Sequence, residues 1–460
     1  MKSLKTFLIW GIVVLVGVAS FTTLAISRGE QVSAVWMVTA AVSVYCIAYR
    51  FYSLYIAKYV MQLDPNRLTP AERHNDGLDY VPTHKGVLFG HHFAAIAGAG
   101  PLVGPVLAAQ MGYLPGTLWI IFGVVFAGAV QDMMVLFVSM RRDGKSLGDI
   151  VKQELGTVPG VIASIGILMI MVIIMAVLAL IVVKALVHSP WGTFTIAATM
   201  PIALFMGIYT RYIRPGKIGE ISIVGFILLM LAVIYGDNVA HSSIGHWFDL
   251  DGIQLTWAIM IYGFVASVLP VWLLLTPRDY LSTFLKIGTI VALAIGILIV
   301  SPALQMPAVT HFIDGSGPVF SGALFPFLFI TIACGAVSGF HALISSGTTP
   351  KMLENETHVR MIGYGGMLME SFVAIMALAA AASLDPGVYF AMNSPAALIG
   401  TDANTAAEVI TTKLQFPVDA ATLLHTAKEV GENTILSRAG GAPTLAVGMA
   451  HIMSRLIPGE

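Results

Sequence analysis

What most constrains this sequence is a succession of separate apolar runs, each about 17–25 residues long, the length a helix needs to cross roughly 30 Å of hydrocarbon. Eleven are legible, at about 7–26, 33–57, 88–110, 117–140, 161–187, 194–210, 218–235, 255–275, 282–300, 322–345 and 361–383. Inside hydrocarbon each backbone N–H and C=O needs a partner within the protein, so runs of this kind fold as helices. The apolar share is 57% and the charged share 11%, where soluble domains carry about 25% charged residues. The expected fold class is therefore an all-α polytopic membrane protein. It forms one domain over 1–460, with a membrane core at about 30–383 and the lipid bilayer as its surroundings. A net charge of −1 provides no footprint for nucleic acid.

Lys and Arg gather on the cytoplasmic side of membrane proteins. With the N-terminus inside, the inner loops hold Lys58, Arg67, Arg73 and Lys85, then Arg141, Arg142, Lys145 and Lys152. Arg211, Arg214 and Lys217 follow, then Arg278 and Lys286, then Lys351 and Arg360, whereas the short outer loops hold only Arg28. Lys2 and Lys5 before the run at 7–26 imitate a signal peptide, but that run is long for a cleaved one and reads as a signal-anchor helix. The polar segment 384–441 falls outside, and the short apolar stretch Ala442–Met453 reads as an incomplete further helix. An odd number of spans followed by this stub leads to the expectation of a fragment or truncation of a longer transporter.

Three segments carry signs of broken helices. Gly98, Gly100, Pro101, Gly104 and Pro105 crowd the third run, where glycines weaken a helix and prolines remove donors. Unwinding there frees carbonyls for a cation and a half-helix N-terminus for an anion; the alternative is a kinked helix with Gly100 and Gly104 as a packing face. Around Gly335 and Gly339, the hydroxyls of Ser338, Ser345 and Ser346 are candidate ligands on the substrate or ion path, and His341 lies within the span. Ser338 and Ser345 are spaced to share a helix face, although serines in such helices also bond back to their own carbonyls. In the eighth run Pro270 is expected to open the helix.

Ionisable residues inside a bilayer each need a partner, water or neutralisation. Asp132, Glu370, His91 and His92 are the proton-coupling candidates, Asp132 foremost because Gly123 and Gly128 let neighbouring helices enclose it. The competing role for both acids is a structural pairing between helices. Lys184 and Arg50 read as end anchors. Cys46 and Cys334 fit neither a disulfide framework nor a zinc site. No His/Asp/Glu cluster has metal-ligand spacing and no activated serine motif occurs, so neither metal, cofactor nor enzyme activity is expected.

The strings His74–Pro82, Val87–Pro105, Gly128–Asp132, Pro277–Tyr280, Ala333–His341 and Arg438–Gly448 resemble the carbon starvation protein A family, across about residues 31–450. The resemblance implies a multi-span bacterial inner-membrane importer used under carbon limitation, taking up pyruvate or peptides with H+ or Na+. It also implies an inverted-repeat carrier of the amino acid–polyamine–organocation type, and members that continue past residue 460. Under that repeat the third span pairs with the eighth, and the tenth lies beside the third. A membrane-embedded nutrient sensor is the competing reading.

Overall fold

The computed structural model describes residues 31–430, 432–438 and 440–456, together with Val16 and Ser20; the expected span at 7–26 lies outside these. The described residues are helical throughout, joined by loops and two isolated bridges. Among them seven helices are long and apolar enough to cross a membrane, eight if one bent pair counts as a span. The expected count of eleven is therefore not reproduced.

Helix α1 (Ala34–Val60) starts under Ser33, whose hydroxyl accepts from the Val35 N–H. The third run is two helices, α2 (Lys85–Ile96) and α3 (Gly100–Met111), bent by 45°. Only Ala97–Ala99 leave the helix, with Ala97 at φ −79°, ψ 63°. Pro101 stands in the first turn of α3, where its missing N–H costs nothing. Gly100, Pro101, Gly104 and Pro105 are thus helical, and the unwinding expected over Gly98–Pro105 is confined to its first residues.

Next come α4 (Tyr113–Arg141), α5 (Leu147–Leu155), α6 (Thr157–Leu186), α7 (Pro190–Ile213), α8 (Ile218–Ala240) and α9 (Gly252–Val268). Helix α9 ends before Pro270, which disfavours helical geometry at the preceding residue; Leu269 is extended at ψ 150°. The chain turns and re-enters as α10 (Leu275–Val300). The expected span 255–275 is thus shorter and the next begins earlier, so Arg278 and Lys286, counted with the inner loop, both lie in a helix, Lys286 in the part the run 282–300 already covered.

The expected span at 322–345 is not one helix. Short turns lead to α11 (Ala333–Ala336), then extended Val337 and Ser338, then α12 (Gly339–Ser345). Ser338 precedes α12 and does not share a helix face with Ser345. Two of the weakest helix formers, Gly335 and Gly339, flank the break.

Helix α13 (Glu356–Ala382) is the axis of the molecule, packing on α1, α2, α3 and α4. All residues from Val373 to Ala382 are buried, and the alanine run lets backbones approach closely. By contrast α6 buries only Gly160 and Val183, so among the described residues its apolar circumference is left largely uncovered.

Segment 384–441 is not a detached polar loop. Helix α14 (Pro386–Asn393) is buried from Gly387 onward, and the Tyr389 hydroxyl donates to the Val106 and Leu107 carbonyls of α3 at 2.9 and 2.8 Å. Amphipathic α15 (Ala403–Lys413) and α16 (Ala420–Glu429) cover α14. Helix α17 (Ala442–Met453) packs on α3, α10 and α13.

Candidate functional site: a buried acid–histidine–acid cluster between two broken helices

The two breaks lie side by side, with α11 against α3. A Cβ on Gly104 would strike the carbonyl oxygen of Thr331, and one on Gly100 would press on the Cys334 thiol. The tenth run thus lies against the third as expected, but Thr331, Ile332 and Cys334 make the contact, not the serines. The eighth run, which the repeat pairs with the third, is also interrupted, between Val268 and Leu275 around Pro270.

On the other side α4 closes in. A Cβ on Gly128 would collide with the Ala336 carbonyl, and one on Gly123 would sit 3.1 Å from the Ala336 side chain. This approach delivers Asp132 to His341, whose Nδ1 lies 2.9 Å from Asp132 Oδ2. The other ring nitrogen, Nε2, lies 3.2 Å from Glu370 Oε2, which comes from α13. All three side chains are completely buried. The Cys334 thiol donates to Glu370 Oε1 at 3.3 Å and lies 3.8 Å from His341 Nε2. Asp132 Oδ1 has no hydrogen-bond partner, and Glu370 Oε2 is too poorly aligned with His341 to form a good one. Three elements far apart in sequence thus converge on one imidazole.

Sequence reasoning treated Asp132 and Glu370 as rivals and His341 as solitary; the structure joins them into one unit. Nothing in their spacing discloses this, since α4, α12 and α13 meet only in the folded chain. Gln131, adjacent to Asp132, serves the second break instead. Its Nε2 donates to the Ser338 carbonyl at 2.6 Å and holds that extended stretch in place. Cys334, His341 and Glu370 also offer three ligand-type atoms within 4.8 Å of one another.

The remaining candidates fall into two sets. His91 and His92 are buried and make their hydrogen bonds outside the cluster. His91 Nδ1 is 3.0 Å from Asp279 and Nε2 is 3.3 Å from the Thr348 hydroxyl; His92 Nδ1 is 2.9 Å from the Thr349 hydroxyl. They tie α2 to α10 and to the turn after α12. Among the serines, Ser346 bonds back to the Ala342 carbonyl, while the buried Ser345 hydroxyl has no partner. Beside Gly98 there is open space, with no atom within 4 Å of where a Cβ would stand.

Sequence reasoning missed Lys286. Its Nζ donates to the carbonyls of Ala94 and Ala97 at 2.9 and 2.8 Å, at the end of α2. A charged residue inside the apolar run 282–300 was the available signal.

Two interrupted helices crossing at a buried charge cluster, inside an all-helical bundle with several helices long and apolar enough to cross a membrane, define a multi-pass α-helical membrane protein. The chain belongs to the carbon starvation protein CstA family, whose family model matches residues 33–460. The peptide transporter CstA of Escherichia coli (strain K12) is 66% identical over 458 residues, covering 98% of this chain and 65% of the relative. The pyruvate/proton symporter BtsT of the same organism is 59% identical over 471 residues, covering 98% and 66%. The peptide transporter CstA of Campylobacter jejuni is 59% identical over 463 residues, covering 100% and 65%. The chain therefore spans about two thirds of the length of these relatives. No solved structure matches it.

Proposed function

We propose that this chain forms the transport core of a secondary carrier that brings pyruvate or short peptides across the bacterial inner membrane, driven by protons. The observation that carries the reading is the enclosed Asp132–His341–Glu370 set beside two broken helices. One imidazolium balances one carboxylate; the second carboxylate then needs a proton, because an uncompensated charge in low dielectric is costly. A set with one such exchangeable proton is a coupling device. The half-helix N-terminus at Gly100 and the open space by Gly98 offer a place for a substrate carboxylate, which helix dipoles favour. Its relatives' names, peptide transporter and pyruvate/proton symporter, support the same reading.

The N-terminus is assigned to the cytoplasm and segment 384–441 to the periplasm. The Lys/Arg distribution supports this, as does the meeting of ends that it puts on one side. The Ala34 N–H donates to the Pro302 carbonyl and the Gln305 N–H to that of Ala382, while Arg141 reaches the Gln62 carbonyl at the opposite end.

Uptake of radiolabelled pyruvate and of a tripeptide, in cells lacking other carriers for both, tests the function. Asp132→Asn and His341→Ala are each expected to abolish accumulation against a gradient, with Asp132→Asn retaining substrate exchange. Binding without uptake by the unaltered chain would instead establish a sensor. Accumulation at the unaltered rate in Asp132→Asn would remove the cluster from coupling.

A further inference from the structure

Helix α2 stops at Ala97 with its last carbonyls released from the helical ladder. Such an end carries the negative pole of the helix dipole, and in carriers with discontinuous spans it holds the coupling cation. In this chain a positive charge is already there. Lys286 projects from α10 and its ammonium bridges the Ala94 and Ala97 carbonyls, one on each side of the helix end.

The side chain is held in that position. Asp279, Thr283 and Lys286 follow one another at i, i+4 and i+7 on one face of α10, so all three look at α2. Asp279 faces His91, the Thr283 hydroxyl donates to the Gly90 carbonyl at 2.8 Å, and Gly90 has no side chain because the Tyr280 ring lies where a Cβ would stand. With the stem docked at successive turns, the ammonium does not extend toward either membrane surface.

We propose that Lys286 is the tethered occupant of a monovalent-cation seat at the end of α2: its ammonium stands where a coupling Na+ would bind. Coupling in this chain then uses no Na+, and deleting the side chain opens the seat to Na+ or to a small alkylammonium ion. The absence of Na+ coupling rests on the carrier reading above; the seat itself does not.

The test is thermal unfolding of the detergent-solubilised chain in choline chloride, sodium chloride or methylammonium chloride. The unaltered protein is expected to unfold at the same temperature in all three. Lys286→Ala is expected to unfold at a lower temperature in choline and to recover in sodium or methylammonium, since a ligand that binds only the folded state stabilises it. A capping lysine with a purely structural role gives the loss without the recovery. Lys286→Met, which keeps the stem but fills the seat with an uncharged group, is expected to show the loss and no recovery, so recovery in the alanine variant reports the vacated seat; where that variant cannot be purified, the unaltered chain's indifference to sodium in unfolding and uptake carries the test. Specific stabilisation of the unaltered protein by sodium overturns the proposal, as does either variant matching its stability in choline, or an alanine variant that no cation restores. Pyruvate uptake by the unaltered chain is expected to be equal with choline in place of sodium. Sodium-dependent uptake overturns the proposal, whereas no uptake in either medium removes the carrier reading and leaves the seat to the unfolding measurements.

Discussion

Glu356, at the start of α13, is completely buried and held by two guanidinium groups. Arg141 Nε lies 3.2 Å from both of its oxygens and Arg67 Nε lies 3.5 Å away, while the Asp64 N–H donates to the same carboxylate. A buried acid with this many donors anchors α1, α4 and α13 at one end of the bundle. Removing this carboxylate deletes its bonds to both guanidinium groups and to the Asp64 N–H, although solvent screens the half-exposed Arg67 and the partly exposed Arg141. Glu356→Ala is therefore expected to lower the unfolding temperature in detergent markedly and Glu356→Gln less so, whereas truncating the exposed Glu154 is expected to have little effect. Asp76 gives a pH-dependent counterpart in the loop before α2. Its carboxylate accepts from the N–H groups of Leu78, Tyr80 and Asp79, and these bonds, that of Leu78 first, hold its pKa below the usual carboxylate value. A depressed folded pKa contributes stability that is present above the unfolded value, about 3.9, and lost as pH falls through the folded value. Proteolysis within 75–82 should therefore quicken on acidification below about pH 4, and Asp76→Asn should show the faster rate near neutrality as well.

Among the elements, the interrupted spans separate two uses of glycine. Gly98 sits at the break with free space around it, whereas Gly104 lies in α3 with the Thr331 carbonyl against it. Adding a methyl group at a filled contact costs roughly 1–3 kcal/mol, and here the obstructing atom is backbone and cannot rotate away. Gly98→Ala is expected to leave folding near normal and to weaken uptake, because its methyl group enters the space proposed for the substrate carboxylate. Gly104→Ala is expected to lower the unfolding temperature and slow uptake, and Gly100→Leu to abolish uptake while the protein still reaches the membrane. Equal unfolding temperatures for Gly98→Ala and Gly104→Ala would contradict this account of the contact. The face that α10 turns to α2 gives the first half-helix a fixed partner; α12, by contrast, receives its partners from α4 and α13 through His341.

For the molecule as a whole, the testable quantity is sidedness. A cysteine at Ser394 is a poor reporter, because Ser394 is completely buried under the cover of 384–441. Leu424, on the outer face of α16, is 58% exposed. Leu424→Cys is expected to react with an impermeant maleimide added outside intact spheroplasts, and Lys145→Cys only after permeabilisation. The reverse pattern would invert the assigned topology. The long exposed apolar faces of α6, α8 and α9 also make detergent or lipid a condition for solubility, since the rim has no polar covering.

The sequence by itself determined the membrane-spanning helical class, because run length and the scarcity of charge are local properties that need no tertiary partner. It also located both breaks to within a few residues, since glycine and proline act on the backbone where they stand. It could not determine how many short pieces 322–345 forms, or that 386–393 is buried, because both follow from what packs beside them. Tyr389 enters the core by reaching the α3 carbonyls, and Val337 and Ser338 stay extended where Gln131 holds the Ser338 carbonyl. The candidate site is the clearest case. Asp132, His341 and Glu370 were each visible as costly residues in apolar runs, but hydropathy carries no information about which faces of α4, α12 and α13 meet. Only tertiary packing, through Gly128 and Ala336, brought two acids onto one imidazole. Lys286 shows the same limit from the other side: it stood visibly inside the apolar run 282–300, but only the fold shows that its ammonium meets the carbonyls left free by the break in α2.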